Sequence, residues 1–263
     1  MKTKYIIYLL LFSIIGYGQT EKKSIFISYS FTYQIDSTDV SSVFEEKMNL
    51  IISRNKSLFL SKGVLLGDSL NKINSQEKKI KAIKKISKSK IKSRIYKYKD
   101  LNKITFTGRV VKDNYIYTEK LNLFKWHLLD STKTIGGYEC NQAKASYGGR
   151  TYIAWYSKAI PISEGPYKFN GLPGLIIKIQ DVKKQITYQM TALKNIPYID
   201  MEQPKDYIEV SKCQFLKLRK EKYGNIRASI KQAGIHIGFS ESKWRELQKS
   251  YDKKNNFIEL NCK

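Results

Sequence analysis

The chain has 263 residues, of which 48 are Lys or Arg and 23 are Asp or Glu, giving a formal charge of +25. With 41% hydrophobic residues it is long and apolar enough to bury a sizeable core, which excludes disorder over the whole chain. Its three cysteines are too few for a dense disulfide framework, and they lack the C-x-x-C spacing of a zinc site or a thioredoxin-type redox pair.

Residues 1–18 have the layout of a secretory signal peptide. Two lysines precede an apolar run from Tyr5 to Ile15, and Gly16-Tyr17-Gly18 places small residues at a cleavage site. The run is shorter than the roughly 20 residues of a membrane-spanning helix, so we expect no transmembrane anchor. The alternative is a buried N-terminal strand. We expect cleavage near Gly18, a secreted or periplasmic location, and a formal charge of +23 after loss of the two lysines.

Alternating apolar and polar residues predict strands after the signal peptide. In Ile25–Ile35 every odd position is apolar or aromatic, which indicates one buried face and one wet face. The same alternation recurs in Ile104–Thr107 and Ile186–Thr191, and short separators such as Gly136-Gly137 predict hairpins between antiparallel neighbours. Further candidate strands are Met48–Ser53, Tyr115–Glu119, Tyr138–Ser146, Arg150–Tyr156, Leu175–Gln180 and, at the end of the chain, Phe257–Leu260.

Residues 72–103 hold thirteen Lys or Arg and only two acids. The apolar residues Ile80, Ile83, Ile91, Ile95 and Tyr98 fall within about a third of a helical wheel, which predicts a basic amphipathic helix with its lysine-rich part at 72–99. Such a helix either binds anionic lipid or glycan through its lysines, or packs its isoleucines on the sheet and leaves the lysines in water. We expect any polyanion binding to map to this segment, and its deletion to preserve the fold.

The C-terminal third has helical patterns. Asp206 is a candidate cap for a helix that runs to about Tyr223, and Ser240 or Ser242 for a later helix that carries Trp244. No linker rich in Pro, Gly or Ser divides the chain, so we expect a single α+β domain over residues 19–263.

The sequence contains few candidate catalytic or metal-binding residues. His127 and His236 have no other His or Cys at ligand spacing, and nucleotide-binding and hydrolase motifs are absent, so we expect no metal and no cofactor. Glu164 and Asp181 flank the glycine-rich region and form the one carboxylate pair that we consider for acid–base catalysis.

The three cysteines allow one disulfide and one free thiol in an oxidising compartment. Cys213 and Cys262 both lie in the C-terminal part and are the pair we expect to bond. Cys140 is expected to be a buried strand residue.

The most distinctive segment contains the hexapeptide Gly171-Leu172-Pro173-Gly174-Leu175-Ile176. Pro173 presets φ for the first central position of a type II turn, and Gly174 supplies the positive φ of the second. We interpret it as a structural corner before a strand; the alternative is a loop whose backbone N–H groups bind an anion.

This hexapeptide resembles the defining motif of the GLPGLI family, secreted proteins of the Bacteroidetes group. Similarity extends to Trp126 and Thr132–Cys140, to Gly149–Thr151 and Ala154–Tyr156, and to a chain end that lacks the usual proline in Asn255–Leu260. The resemblance implies export and implies no activity, because the role of the family is uncharacterised, and it supplies no catalytic residues.

The strand order is similar to that of the curved antiparallel half-barrels of periplasmic lipoprotein carriers, with a few packing helices. A concave face of this kind would offer Tyr29, Tyr33, Trp155 and Tyr188 to an apolar ligand. We therefore favour a non-enzymatic binder of an apolar or anionic partner, such as a lipid, an anionic glycan or an envelope protein. The alternative is an exported hydrolase that uses Glu164 and Asp181. Nucleic acid is disfavoured by export and by the small number of arginines.

Overall fold

A computed structural model describes residues 23–71, 89–202 and 205–262. The predicted signal peptide and residues 72–88 of the lysine-rich segment lie outside the described residues. Twelve strands form within the described ranges: β1 (Lys23–Gln34), β2 (Val43–Ser53), β3 (Lys56–Ser61), β4 (Arg94–Tyr98), β5 (Lys103–Val110), β6 (Asp113–Lys120), β7 (His127–Ile135), β8 (Tyr138–Tyr147), β9 (Arg150–Ser157), β10 (Leu175–Asp181), β11 (Ile186–Pro197) and β12 (Ile208–Glu209).

All twelve strands belong to one curved, open sheet with the order β12-β6-β5-β4-β3-β2-β1-β11-β10-β9-β8-β7. The chain runs outward from β1 to β6, starts again at the opposite edge with β7, and returns to β11 beside β1. Every neighbouring pair is antiparallel except the short contact of β12 with β6. The predicted α+β class with a mainly antiparallel sheet is confirmed.

Period-two alternation decides which side chains enter the main core. Tyr29 and Phe31 of β1 are fully buried on one face, which we call the inner face. A smaller apolar cluster on the outer face contains Ile51, Leu58 and Tyr96, and α1 (Lys62–Asn71) packs against it. The sheet is therefore covered over part of both faces, which explains the continuous burial of the second half of β2.

Three helices follow β12, and each begins at a side-chain cap. They are α2 (Lys212–Gly224), α3 (Ile226–Gln232) and α4 (Glu241–Asp252). The predicted start at Asp206 is wrong, because β12 intervenes and Ser211 caps α2 through a reciprocal capping box with Gln214. The prediction of a Ser240 cap is confirmed for α4. None of the described helices is long and apolar enough to cross a membrane.

The predicted helix over 72–103 is wrong for its described part. Residues 94–98 form β4, which lies between β3 and β5 in the middle of one half of the sheet. Ile95 and Lys97 face the inner side while Tyr96 faces the outer side, so the period is two and not 3.6. Deleting the whole of 72–103 would remove this interior strand, so the structure leads us to expect that such a deletion disrupts the fold.

The C-terminal segment, residues 253–262, crosses the inner side of the sheet without forming the predicted strand Phe257–Leu260. Isolated hydrogen bonds from side chains, not a strand ladder, hold its backbone: Arg150 donates to the Phe257 carbonyl and the Tyr152 hydroxyl donates to the Ile258 carbonyl. The predicted disulfide between Cys213 and Cys262 is confirmed and ties this segment to the start of α2. Cys140 is a buried free thiol in β8, as predicted.

The hexapeptide is a structural corner, but its turn differs from the predicted type II turn. The Gly174 N–H donates to the Leu172 carbonyl across Pro173, and the Leu175 N–H donates to the Ile160 carbonyl. Gly174 has φ +153°, and a Cβ at this position would lie 2.6 Å from the carbonyl carbon of Ser157. Close approach to the end of β9 is therefore what requires glycine here.

We predict that Gly174→Ala destabilises the fold by about 3 kcal/mol, because a backbone collision adds to conformational strain. Gly137→Ala is the matched control: Gly137 has φ +84°, and a methyl group at this position would meet no atom within 4 Å, so strain alone should cost about 1 kcal/mol. Urea denaturation of the oxidised proteins measures both losses. Equal losses for the two variants would show that the approach to Ser157 is unimportant.

Candidate ligand-binding site

The corner segment, residues 158–174, is fixed on the inner face by a buried ion pair. The Lys97 ammonium lies 2.6 Å from Glu164 and also donates to the carbonyls of Gly165 and Phe169. Both charged side chains are at most 1% exposed. Burial lowers the pKa of Lys97, although the Glu164 carboxylate opposes this. Lys97 is therefore a structural anchor for the corner segment.

Asp181 has a similar structural role in β10. It accepts from Arg150 at 3.1 Å and from the backbone N–H of Ile186 at 2.9 Å. Arg150 in turn donates to the Phe257 carbonyl. Glu164 and Asp181, the candidate catalytic carboxylates, are thus each held in a separate buried ion pair that supports the fold.

Four more charged side chains form a second buried group, which we call the charge cluster: Glu119, Lys168, Lys212 and Glu259. Lys168 contacts Glu119 and lies 2.6 Å from Glu259, while Lys212 lies 3.0 Å from Glu119 and 2.7 Å from Glu259. The four residues come from β6, the corner segment, the start of α2 and the C-terminal segment, so the charge cluster joins four separate parts of the chain.

The charge cluster also controls the protonation of its neighbours. Burial alone would raise the pKa of Glu259, but the ammonium groups of Lys168 and Lys212 outweigh it and lower that pKa to about 2. Burial, reinforced by the Glu259 carboxylate, raises the pKa of Tyr117 and Tyr167 well above the ordinary value. The carboxylate is therefore ionised and both phenols are neutral across the physiological pH range.

Beside the charge cluster lies an apolar space of about 140 Å³, which we call the inner cavity. Its floor takes one side chain from each of the strands β1 to β6: Tyr33, Met48, Phe59, Ile95, Phe106 and Tyr117. Phe215, Leu216 and Arg219 of α2 cover it together with residues 257–259. The inner cavity is thus the gap between the inner face and the two segments joined by the disulfide.

A larger space of about 360 Å³, which we call the outer groove, adjoins the inner cavity. The two spaces share Ile91, Ser93, Phe106, Phe215 and Arg219 as lining residues. The outer groove therefore lies next to the inner cavity, between α2 and the stretch that precedes β4.

The four aromatic residues predicted to bind a ligand have different positions. Tyr33 and Tyr188 line the inner cavity. Tyr29 is fully buried beside Phe59, and its hydroxyl donates to the Ile176 carbonyl. Ala154 of β9 pairs with Ile179 of β10, and Ile179 pairs with Tyr188 of β11, so Ala154 and Tyr188 share a face of the sheet. Trp155 is the next residue after Ala154 and therefore lies on the opposite face. The Lys133 ammonium lies 3.9 Å above the Trp155 ring, so the prediction of one shared face is wrong for Trp155.

Sequence reasoning missed Arg219 and Glu259. Arg219 follows Phe215 by four residues on α2, so it shares the apolar side of that helix. A helical wheel that starts at the Ser211 capping box would have placed a basic residue on that side. The position of Glu259 depends on contacts with Lys168 and Lys212, which are far away in sequence, and no local pattern indicates them.

Within the described ranges, no group of three or more His, Cys, Asp or Glu side chains is arranged to hold a metal ion. His127 and His236 are both exposed. The Cys140 thiol is close to the Tyr138 carbonyl in its own strand.

A Bacteroidetes-associated family described as a protein of unknown function (Porph_ging) matches residues 146–178, a stretch that includes the hexapeptide. No curated protein matches the sequence.

Two solved structures of PNGF-II, in the P21 and C2 space groups, have a similar fold. Each aligns with a TM-score of 0.53 over 76% of this chain, at 13% and 14% sequence identity. The chain spans about a third of the length of PNGF-II, with 34% and 33% of that protein covered. At this level of identity the likeness concerns the fold alone.

The pKa of Glu259 predicts a specific acid sensitivity. A carboxyl whose pKa is about 2 in the folded protein stabilises the fold fully above its unfolded value and loses this contribution as pH falls from about 4.5 to 2. Glu259→Gln should therefore destabilise the protein by about 3 kcal/mol at neutral pH, with a difference that shrinks as the pH approaches 2.

Urea denaturation of both proteins across this pH range measures the difference. The control is Glu241→Gln, which removes an exposed carboxylate paired with Arg227 on the helical side of the molecule and should change stability little. A Glu259→Gln deficit that does not vary with pH would contradict the role assigned to the Lys168 and Lys212 ammonium groups.

Proposed function

We propose that this protein is an exported envelope protein that binds an apolar ligand in the inner cavity without transforming it. The observation that carries the proposal is a cavity of about 140 Å³ that is lined by apolar and aromatic side chains of seven strands and adjoins the outer groove. A space of this size accommodates a ligand group of about six carbon atoms. Ligand sites of binding proteins are commonly apolar concavities of this kind.

The acid–base properties of the cavity wall support binding over catalysis. Glu259 is the carboxylate of the wall, and with a pKa lowered to about 2 it is a weak proton acceptor at neutral pH. Tyr117 and Tyr167 also line the wall, and their raised pKa makes them weak proton donors. The charge cluster therefore stabilises the cavity without supplying a group matched to proton transfer near pH 7.

Export is supported by two independent features. Residues 1–18 carry the signal-peptide pattern, and the disulfide between Cys213 and Cys262 is of a kind that persists in oxidising compartments. We also propose membership of the GLPGLI family, because the hexapeptide is unbroken and lies within the Porph_ging match.

Ligand binding is tested with octan-1-ol as a neutral apolar probe. We expect the probe to shift the methyl NMR signals of Met48 and Ile95, which line the inner cavity. Leu216→Trp should fill the cavity and weaken binding at least about tenfold, because the probe loses the space for its apolar chain.

Leu218→Trp is the matched control, since Leu218 is a half-buried leucine of the same helix that does not line the inner cavity. It should leave probe binding unchanged. Absence of any shift in the parent protein, or equal binding by the two Trp variants, would count against the proposed function.

Export is tested by expressing the full chain in a Gram-negative host. We expect periplasmic or extracellular protein whose N-terminus, measured by mass spectrometry, is Gln19. Leu10→Arg interrupts the apolar run and should keep the uncleaved chain in the cytoplasm. An intact N-terminus on the parent protein would contradict the proposed cleavage.

A further inference from the structure

The outer groove has an unbalanced charge. Four basic side chains line it, Lys90, Lys92, Arg109 and Arg219, and no Asp or Glu is among its described lining residues. A groove of this composition favours an anion.

Arg219 lies where the outer groove meets the inner cavity, because it lines both. Its guanidinium carbon is 3.9 Å from the centre of the Phe257 ring, so the guanidinium is held against an aromatic side chain. The described residues include no carboxylate that pairs with Arg219, and its buried Nε makes no hydrogen bond. Since buried donors are usually satisfied, this guanidinium has unused capacity to bind anionic oxygens.

The effect of the Arg219 charge also reaches the cavity wall. Burial raises the pKa of Tyr33 to about 12, although the charges of Arg150 and Arg219 oppose this. Tyr33 lines the inner cavity. Arg219 therefore acts on a residue of the cavity wall and also lines the outer groove.

We propose that the ligand is a single-chain anionic amphiphile, with an alkyl chain in the inner cavity and anionic oxygens bound by Arg219. This inference rests on the proposed function and adds the chemical class of the ligand. Arg109 and Lys92 lie at the rim, where their charges strengthen attraction of the head group. A stacked guanidinium still presents N–H donors along its edge, which suits the two oxygens of a carboxylate or phosphate.

The test is isothermal titration of the oxidised protein with three probes that share an eight-carbon chain: octan-1-ol, octanoate and octyl phosphate. We expect both anions to bind at least about tenfold more tightly than the alcohol at low ionic strength. The comparison of octanoate with octyl phosphate distinguishes a fatty-acid ligand from a single-chain phosphate lipid. Raising the salt to about 0.5 M should reduce the preference for anions and leave binding of the alcohol unchanged.

Arg219→Met should abolish the preference for the anions while binding of octan-1-ol remains. Arg219→Lys keeps the charge without the planar fork and should give an intermediate preference, and it serves as the second variant if Arg219→Met does not fold. Arg245→Met is the matched control, because Arg245 lies on α4 and lines neither space; it should behave like the parent protein.

The outcomes separate this inference from the proposed function. Equal binding of the alcohol and the anions by the parent protein, or an unchanged preference in both Arg219 variants, would overturn the anionic head group and leave the cavity as an apolar site. Failure of all three probes to bind would overturn the proposed function itself.

Discussion

The charge cluster is the interaction that holds the segments covering the inner face of the sheet in place. Glu119, Lys168, Lys212 and Glu259 are two acids and two bases in mutual contact, so the cluster is neutral as a whole. Removing such groups from water is costly, and only this reciprocal pairing compensates for it. Because each member comes from a different segment, the cluster holds the sheet, the corner segment, α2 and the C-terminal segment together. The inner cavity exists because these segments cover the inner face in one fixed arrangement.

Local alternation is sufficient to predict most of the sheet, and it fails where a charged residue faces the core. In β1 and in the first half of β11 the apolar positions recur with period two, and the predicted strands Ile25–Ile35 and Ile186–Thr191 overlap the observed ones. In β4 the inner position after Ile95 is Lys97, which is fully buried only because Glu164, 67 residues later, accepts a hydrogen bond from its ammonium. From the sequence alone, a buried lysine such as Lys97 cannot be distinguished from a lysine in water, so the residues around β4 are equally compatible with a basic helix.

The candidate site is predictable only in part, for the same physical reason. Tyr33 and Tyr188 follow from alternation, but Tyr152–Tyr156 of β9 is apolar at every position, so the sequence does not indicate which face Trp155 takes. The cover of the site comes from α2 and the C-terminal segment, whose placement depends on the Cys213–Cys262 disulfide and on long-range ion pairs. Such contacts leave no periodic signature, so the position of this cover above the cavity cannot be predicted from the sequence, although the disulfide can.

The excess of basic residues gains a more specific meaning from the structure. The four acids of the inner ion pairs, Glu119, Glu164, Asp181 and Glu259, are matched by Lys97, Arg150, Lys168 and Lys212, so these pairs are neutral as a group. They account for none of the excess of 48 basic residues over 23 acids. Exposed charges that lie far apart are screened from one another within about 8–10 Å. At the outer groove, however, four cations line one concave space that adjoins an apolar cavity. The positive potential of the groove favours an anionic head group and the cavity favours an alkyl chain, so both features favour an anionic amphiphile.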